Sequence, residues 1–475
     1  MPPRQAAPRF RVAAIELFER DVRLRMPFRF GVVTLTESPQ AFVRARIRLQ
    51  DGREAEGAAA ELLAPKWFDK DPALTNEDNF DQLRVSLGRA REQYLAHEAR
   101  TAWAHASPAK GLVENYGPAL LDRALLDALC RALGVSFYRA VQTNLVGAGN
   151  FEGIDLGGFF ATLKPRVAIA ARHTVGLVDP ITVTDQKARV DDGLPETLEE
   201  VVARYGHRYF KLKVGGDARA DVERLSAIAS VLDRIEGPYH ASLDGNEQYE
   251  DMQGVAALWA RMKAEPRLRR LADSVLFIEQ PVKRQRALER RVEGVDKPVI
   301  IDESDDALDA FPRAKALGYR GVSSKTCKGI YKSLINRARC AAWNKSGSKS
   351  GSEPDFVSQV KSGSDPDLFF MSGEDLTVQA GIALQQDTAL VSLLGLTHLE
   401  RNGHHYVNGM AGLPQAEQDA FLAAHPDLYE RSHGAVRVRI ADGLLSIGSL
   451  DCPGYASQAM PDWNTMRGMT WASVS

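Results

Sequence analysis

Two hallmarks of small extracellular and zinc-binding chains are missing from this sequence: it has no CxxC pair and no compact His/Cys cluster. Its four cysteines, Cys130, Cys327, Cys340 and Cys452, are scattered over 475 residues. That spacing favours free thiols in a reducing compartment over a disulfide framework. No stretch approaches the ~20 apolar residues of a membrane-spanning helix. The opening MPPRQAAPRFRVAAIELFERD is broken by charge too early for a secretory signal. Neither charge is in excess: 60 Lys and Arg against 62 Asp and Glu leave a net charge of -2. No general attraction to nucleic acid or anionic membrane is therefore expected, and the expectation is a cytoplasmic soluble protein.

What is present is an ordinary globular composition, 44% hydrophobic and 26% charged, in a chain long enough for two domains or one large barrel with additions. From Phe10 to Leu49 short apolar runs (FRVAAIELFERDVRLR, FRFGVVTLTE, AFVRARIRL) end at the Asp51-Gly52 turn signal, and EAEGAAAELL follows. This predicts an antiparallel meander of about three strands. Its loops, Met26–Gly31 and Ala64–Lys70, carry aromatics that can line a pocket or pack on a neighbouring domain. NFDQLRVSLGRAREQYLAHEAR and PALLDRALLDALCRALG then show helical spacing, the second strongly amphipathic, with Gly134 fitting a helix end.

After about Gly153 the rhythm changes to alternating strand-like and helix-like segments, continuing to about Asn402. Eight strand-like runs match the strand number of a (β/α)8 barrel; a doubly wound sheet explains the charged strand ends less well. The Ser/Gly-rich stretch 344–367 reads as a solvated surface excursion. Residues 412–475 return to β-like runs with no place in a finished barrel, so they are expected to pack back on the N-terminal module. The division expected is 1–153, an α+β module, 154–411, the barrel, and 412–475, the returning segment.

Between Tyr209 and Lys325 five runs end in charge: YFKLKVGG, YHASLDGNE, SVLFIEQP, PVIIDES and GVSSKTCKG. They place Lys211 and Lys213 on the second barrel strand, Asp244, Glu279 and Asp302 on the third to fifth, and Lys325 on the sixth. Functional residues of such barrels lie at the C-terminal strand ends. Three carboxylates in one mouth repel unless positive charge sits among them. Oxygen-only ligands suit a hard divalent cation, and Mg²⁺ fits an incomplete set that leaves room for water and substrate. The second and sixth of eight strands face each other, so Lys213 and Lys325 approach a bound molecule from opposite sides. A lysine near the metal and a second lysine can have its pKa lowered and act as a base; Lys211, on the same face as Lys213, assists it or meets a substrate carboxylate. The reaction needing this equipment is removal of a proton next to a carboxylate.

The order KLK, LDGNE, IEQP, IDES and SSKTCKG resembles the enolase superfamily, and within it the muconate lactonising enzyme branch, with K-x-K on the second strand and a lysine on the sixth. Lys or His bases with Mg²⁺ are general knowledge of that superfamily. The resemblance implies a modified (β/α)8 barrel with an α+β capping domain formed by both chain ends, and commonly a homo-oligomer. It implies Asp244, Glu279 and Asp302 as metal ligands and Lys213 and Lys325 as the acid/base pair. Asn246 and Glu303 would stand just behind the ligands, Glu303 competing with Asp302. The mandelate racemase branch, with a His–Asp pair on the seventh and sixth strands, fits less well. The reaction implied is Mg²⁺-dependent abstraction of the α-proton of a small carboxylate through an enediolate, ending in racemisation or epimerisation, cycloisomerisation or dehydration. A catalytically silent binding barrel and a metal-dependent hydrolase are the rivals.

Substrate choice falls to other positions. Asp375, Glu400, Arg401, His404 and His173 are candidates for substrate contact, and Arg172 and Asp179 are two further candidates for the mouth. Adjacent His404 and His405 are poorly placed to share one ion. Phe28–Phe30 and Trp67–Phe68 correspond to the family's specificity loops. Lys328 competes with Lys325, which follows its strand more directly, and Cys327 reads as a packed thiol.

Overall fold

A computed structural model describes residues 6–347 and 368–471 of the chain. It opens with three antiparallel strands, Phe10–Phe30, Val33–Leu49 and Glu54–Leu62. One loop falls elsewhere than expected. Met26–Gly31 is not a loop: the chain stays extended to Phe30, which pairs with Val33, and reverses at Gly31 (φ +49°) and Val32. Pro27 falls where the register shifts between Arg23 and Phe28. A bulge absorbs the missing N–H that a regular ladder would require. Ser38-Pro39 likewise leaves Val33–Leu49 continuous.

The apolar face of this sheet packs on helices Asn76–Leu95 and Leu112–Leu133. The first starts on a Thr75/Asp78 capping box, and the second ends on Gly134 in the left-handed conformation (φ 65°). The second is not amphipathic in use: Asp122, Arg123 and Asp127 are buried along with its leucines. It lies between the cap sheet and the barrel, and its polar groups are spent on both. Arg123 reaches Glu61 at 3.0 Å on one side and Thr326 at 2.9 Å on the other.

Eight parallel strands follow: Ala168–Val175, Tyr209–Lys213, His240–Asp244, Val275–Glu279, Val299–Ile301, Gly321–Ser324, Phe370–Gly373 and His398–Arg401. The eighth pairs with the first from His398↔Ala170 to Arg401↔His173, so the sheet closes as a barrel and is not doubly wound. Its interior is filled rather than hollow. Leu276, Phe277, Ile300 and Phe370 form a separate apolar cluster with Tyr209, and the Arg172 guanidinium lies 5.4 Å from the Phe277 ring centre.

The returning segment touches both parts. Leu444–Ser446 adds antiparallel to the start of the first barrel strand, and Arg467–Gly468 adds to the edge of the first cap strand at Phe18 and Glu19. Helix Ile330–Gly347 runs into the Ser/Gly-rich stretch, whose remainder, 348–367, lies outside the described residues. All four cysteines are buried and free. Among the described residues no helix is long and apolar enough to cross a membrane.

Candidate active site

Strand periodicity puts Lys211 and Lys213 on one face, and sheet register does the rest. Lys213 lies opposite Asp244, and Asp244 opposite Glu279. Ile301 lies opposite Val322, so Asp302 and Ser323, the next residues, are level, and the Ser323 hydroxyl donates to the Asp302 carboxylate. Lys211, Lys213, Asp244, Glu279, Asp302 and Lys325 are all buried at this barrel mouth.

Lys211 Nζ sits among four carboxylates, 3.0 Å from Asp244, 2.8 Å from Glu279, 2.8 Å from Glu374 and 3.0 Å from Glu400. Burial alone lowers its pKa, but these carboxylates, Asp244 first, outweigh it and hold the ammonium charged. Lys213 Nζ donates to Asp244 at 2.6 Å and Lys325 Nζ to Asp302 at 2.5 Å. Burial depresses Lys325 too, and Asp302 more than reverses the effect. The lowered lysine pKa expected from sequence is therefore not seen at Lys325, because the Asp302 carboxylate stabilises the ammonium it faces. Burial raises Asp302, but Lys325 and Lys328 outweigh it and hold the carboxyl well below its ordinary range. Glu279 goes the other way, pushed up by burial and then by Glu374.

The donor set fits a hard divalent cation. Asp244, Glu279 and Asp302 stand on three neighbouring strands, and Glu279 Oε1 and Oε2 are buried without a hydrogen bond; the 2.8 Å contact to Lys211 lies outside hydrogen-bonding directions. A buried carboxylate left so is costly unless a cation meets it. Glu303 is a weaker candidate, since Lys70 Nζ holds it at 3.0 Å and Asn246 Nδ2 at 3.3 Å.

A narrow cavity opens over these groups. Its polar floor is Lys211, Lys213, Asp244, Asn246, Lys325, Asp375, Glu400 and Asn402; its walls are Phe28, Phe30, Leu35, Leu62, Ala64, Trp67 and Leu376, with Thr377. The cap supplies most of the apolar wall. Trp67 lies over Lys325, Nζ to ring centre 4.7 Å, and Phe28 stacks on Tyr406 at 4.2 Å. Arg284 fixes the Trp67 loop by donating to the Trp67 and Phe68 carbonyls at 2.8 Å each.

Several residues singled out in the sequence stand elsewhere. Arg401 lies 3.3 Å from Asp375 and does not line the cavity. Asp375 itself accepts from the Asn402, Gly403 and Val378 amides, fastening the wall. His173 and His404 lie together outside the lining, and Asp179 accepts from the Gly176 amide and the Tyr406 hydroxyl. Lys328 reaches Asp302, Asp305 and Ser323 from below. Cys327 is a packed thiol pushed well up by burial.

Glu374 and Arg172 matter more than their sequence context suggested. Arg172 pairs with Glu374 and donates to Ser372 at 2.9 Å, so Glu374 bridges the barrel floor to Lys211. Its strand-end position after Ser372 was the available signal. Asn246, Glu247, Gln280 and Thr377 have left-handed backbones (φ 40°, 69°, 31° and 60°). Such positions cost about 1–3 kcal/mol each, and the loops are pinned accordingly: Gln280 Oε1 accepts from the amides of Asp302 at 2.8 Å and Ser304 at 3.1 Å.

A closed barrel, a cap from the N-terminal module, and carboxylates flanked by lysines at the mouth define an enolase-type architecture. Residues 193–347 match the family model "Enolase C-terminal domain-like". Muconate cycloisomerase 1-2 of Acinetobacter lwoffii is 23% identical over 313 residues, 64% of this chain and 68% of that protein. The L-Ala-D/L-Glu epimerase of Bacillus subtilis superposes with a TM-score of 0.59 at 14% identity, covering 94% of this chain and 99% of that one. A dipeptide epimerase of Cytophaga hutchinsonii, solved with Mg and D-Ala-L-Val, gives 0.58 at 14% identity over 96% and 99%. Part of the barrel thus matches the enolase family model, and the chain as a whole shares the fold of a muconate lactonising enzyme, with a TM-score of 0.58 at 19% identity.

Proposed function

We propose that the protein is a Mg²⁺-dependent enzyme that removes the α-proton of a small carboxylic acid through an enediolate. The observation that carries this reading is the placement of Lys213 and Lys325 in one cavity, each tied to a different carboxylate of a buried set whose third member, Glu279, lacks a hydrogen bond.

Asp244, Glu279 and Asp302 would hold the metal. When bound, Mg²⁺ supplies positive charge opposite the negative charge that develops on the substrate carboxylate. The lysines do the proton work. One Nζ takes the α-proton, and the other, on the opposite side, is placed to return a proton or to protonate a leaving group. Lys211 keeps a fixed positive charge beside the reacting carboxylate. Racemisation or epimerisation, cycloisomerisation and dehydration share this first step. The walls of Phe28, Phe30, Leu35, Leu62, Trp67 and Leu376 exclude water and favour a substrate whose non-reacting part is apolar.

Incubation with a library of carboxylic acids in D₂O, with Mg²⁺ and with chelator, tests this. Mg²⁺-dependent deuterium incorporation at an α-carbon is expected. Its absence across the library, with Mg²⁺ shown to bind, would favour a silent binding barrel.

A further inference from the structure

A second cluster of ligating side chains lies on the other side of the barrel wall. Along the first barrel strand Arg172 and Thr174 reach the interior, where they meet Glu374 and Glu400, so His173 between them faces outward. There it meets His207, just before the second strand, and His404, in the short helix Gly403–Tyr406 after the eighth. We propose that His173, His207 and His404 form a binding site for a transition-metal ion of the zinc class, separate from the carboxylate site.

Three observations converge. The ring centres form a nearly equilateral triangle, 5.3 Å from His173 to His207, 5.3 Å from His173 to His404 and 5.4 Å from His207 to His404. Three imidazoles around one tetrahedral ion, with metal–nitrogen bonds of about 2.05 Å, place their ring centres about 5.2 Å apart. One nitrogen from each ring can be chosen so that all lie within 4.8 Å of one another, and His173 Nδ1 and His404 Nε2 are 3.3 Å apart. That is long for a hydrogen bond and matches the roughly 3.3 Å edge of such a coordination shell.

The third observation concerns lone pairs. His207 Nδ1 lies 2.9 Å from the Ala171 carbonyl and must donate to it, which leaves Nε2 as a bare lone pair, buried without a partner. A ligating imidazole is commonly oriented in this way, by a carbonyl on its far nitrogen. Ring packing alone would leave His207 Nε2 desolvated and unpaired. Burial depresses all three imidazoles and keeps them neutral, the ligating form. The nearby cation Arg25 is taken up by Asp192 at 2.6 Å and by the His405 carbonyl at 2.9 Å. A small cavity bordered by Tyr205, Gly403 and His404 lies beside the cluster.

The ion would tie helix Gly403–Tyr406 to the first two strands, and Tyr406 stacks on Phe28 of the substrate cavity. Its role is to hold that wall in place. The test uses the full-length, tag-free chain, stripped with chelator, reloaded with zinc in excess Mg²⁺ and gel-filtered. Metal per chain and thermal midpoint are then measured for wild type, His207→Gln, His404→Gln and Glu279→Gln, each checked for fold by circular dichroism. One zinc per chain and a raised midpoint are expected in wild type and Glu279→Gln, and loss of both in the histidine variants. If His207→Gln does not fold, His404→Gln at the partly buried position decides. Wild type without zinc, zinc retained by the folded histidine variants, or zinc lost from Glu279→Gln would overturn the proposal.

Discussion

Lys211, Lys213 and Lys325 are chemically identical side chains given different tasks by their neighbours. Four carboxylates surround Lys211, whereas Lys213 and Lys325 each answer to one and open onto the cavity. Glu279 shares Lys211 but has no hydrogen bond of its own, and removing its charge tests the metal assignment. Glu279→Gln should bind Mg²⁺ at least tenfold more weakly by calorimetry while the metal-free protein stays as stable as wild type, because a buried carboxyl pushed up by its surroundings is replaced by a neutral group. Unchanged Mg²⁺ affinity would remove Glu279 from the ligand set. These charges were legible in the sequence because each ends a short β-like run, and strand periodicity fixes which face they share. The wall residues Leu35, Leu62 and Asn402 were not, because nothing local distinguishes a residue that lines a cavity from one that packs beneath it.

At the scale of elements, the cap depends on close backbone approach. A Cβ at Gly57 would lie 2.2 Å from Ala128 N and 2.3 Å from Ala124 O. Gly57→Ala should therefore destabilise the protein by about 1–3 kcal/mol in denaturant titration; a change within error would mean that strand and helix can part without cost. Asp122, which accepts the Tyr94 hydroxyl at 2.8 Å, is pushed by burial to about 7. A carboxyl raised above its unfolded value binds its proton more tightly when folded. Its contribution is full below about pH 4 and is lost as pH rises through about 7. Asp122→Asn should accordingly gain about 2–4 kcal/mol on wild type between about pH 5 and pH 8, measured by denaturant titration at each pH. A constant difference would contradict the buried-acid account. The strands and helices themselves followed from periodicity, and the misplaced Met26–Gly31 loop shows where that reading stops: proline signals a break, but only pairing partners decide between a loop and a bulge.

Across the whole molecule, cap and barrel meet through buried charge as well as apolar surface. Glu61 in the cap is pushed to about 7 by burial, a rise that Arg123 limits, and both meet Thr326 one residue after Lys325. Arg123→Met should cost about 3–5 kcal/mol by leaving Glu61 uncompensated, and adding Glu61→Gln should recover much of it; a double variant no better than the single would place the loss in packing. No sequence pattern announced this network, since its members lie far apart in the chain. We propose that the cap comprises 1–153 with the returning segment 412–475, and the barrel 154–411.

The central claim is that two opposed lysines exchange the α-proton of a carboxylate over a metal site. Enantiomer-resolved deuterium exchange in D₂O with Mg²⁺, on an acid found by the library screen, tests it most directly. Lys213→Ala and Lys325→Ala should each slow exchange by about 10²–10⁴-fold, with circular dichroism and Mg²⁺ affinity unchanged, and the double variant should show none. Exchange at near wild-type rates in the double variant would contradict the account.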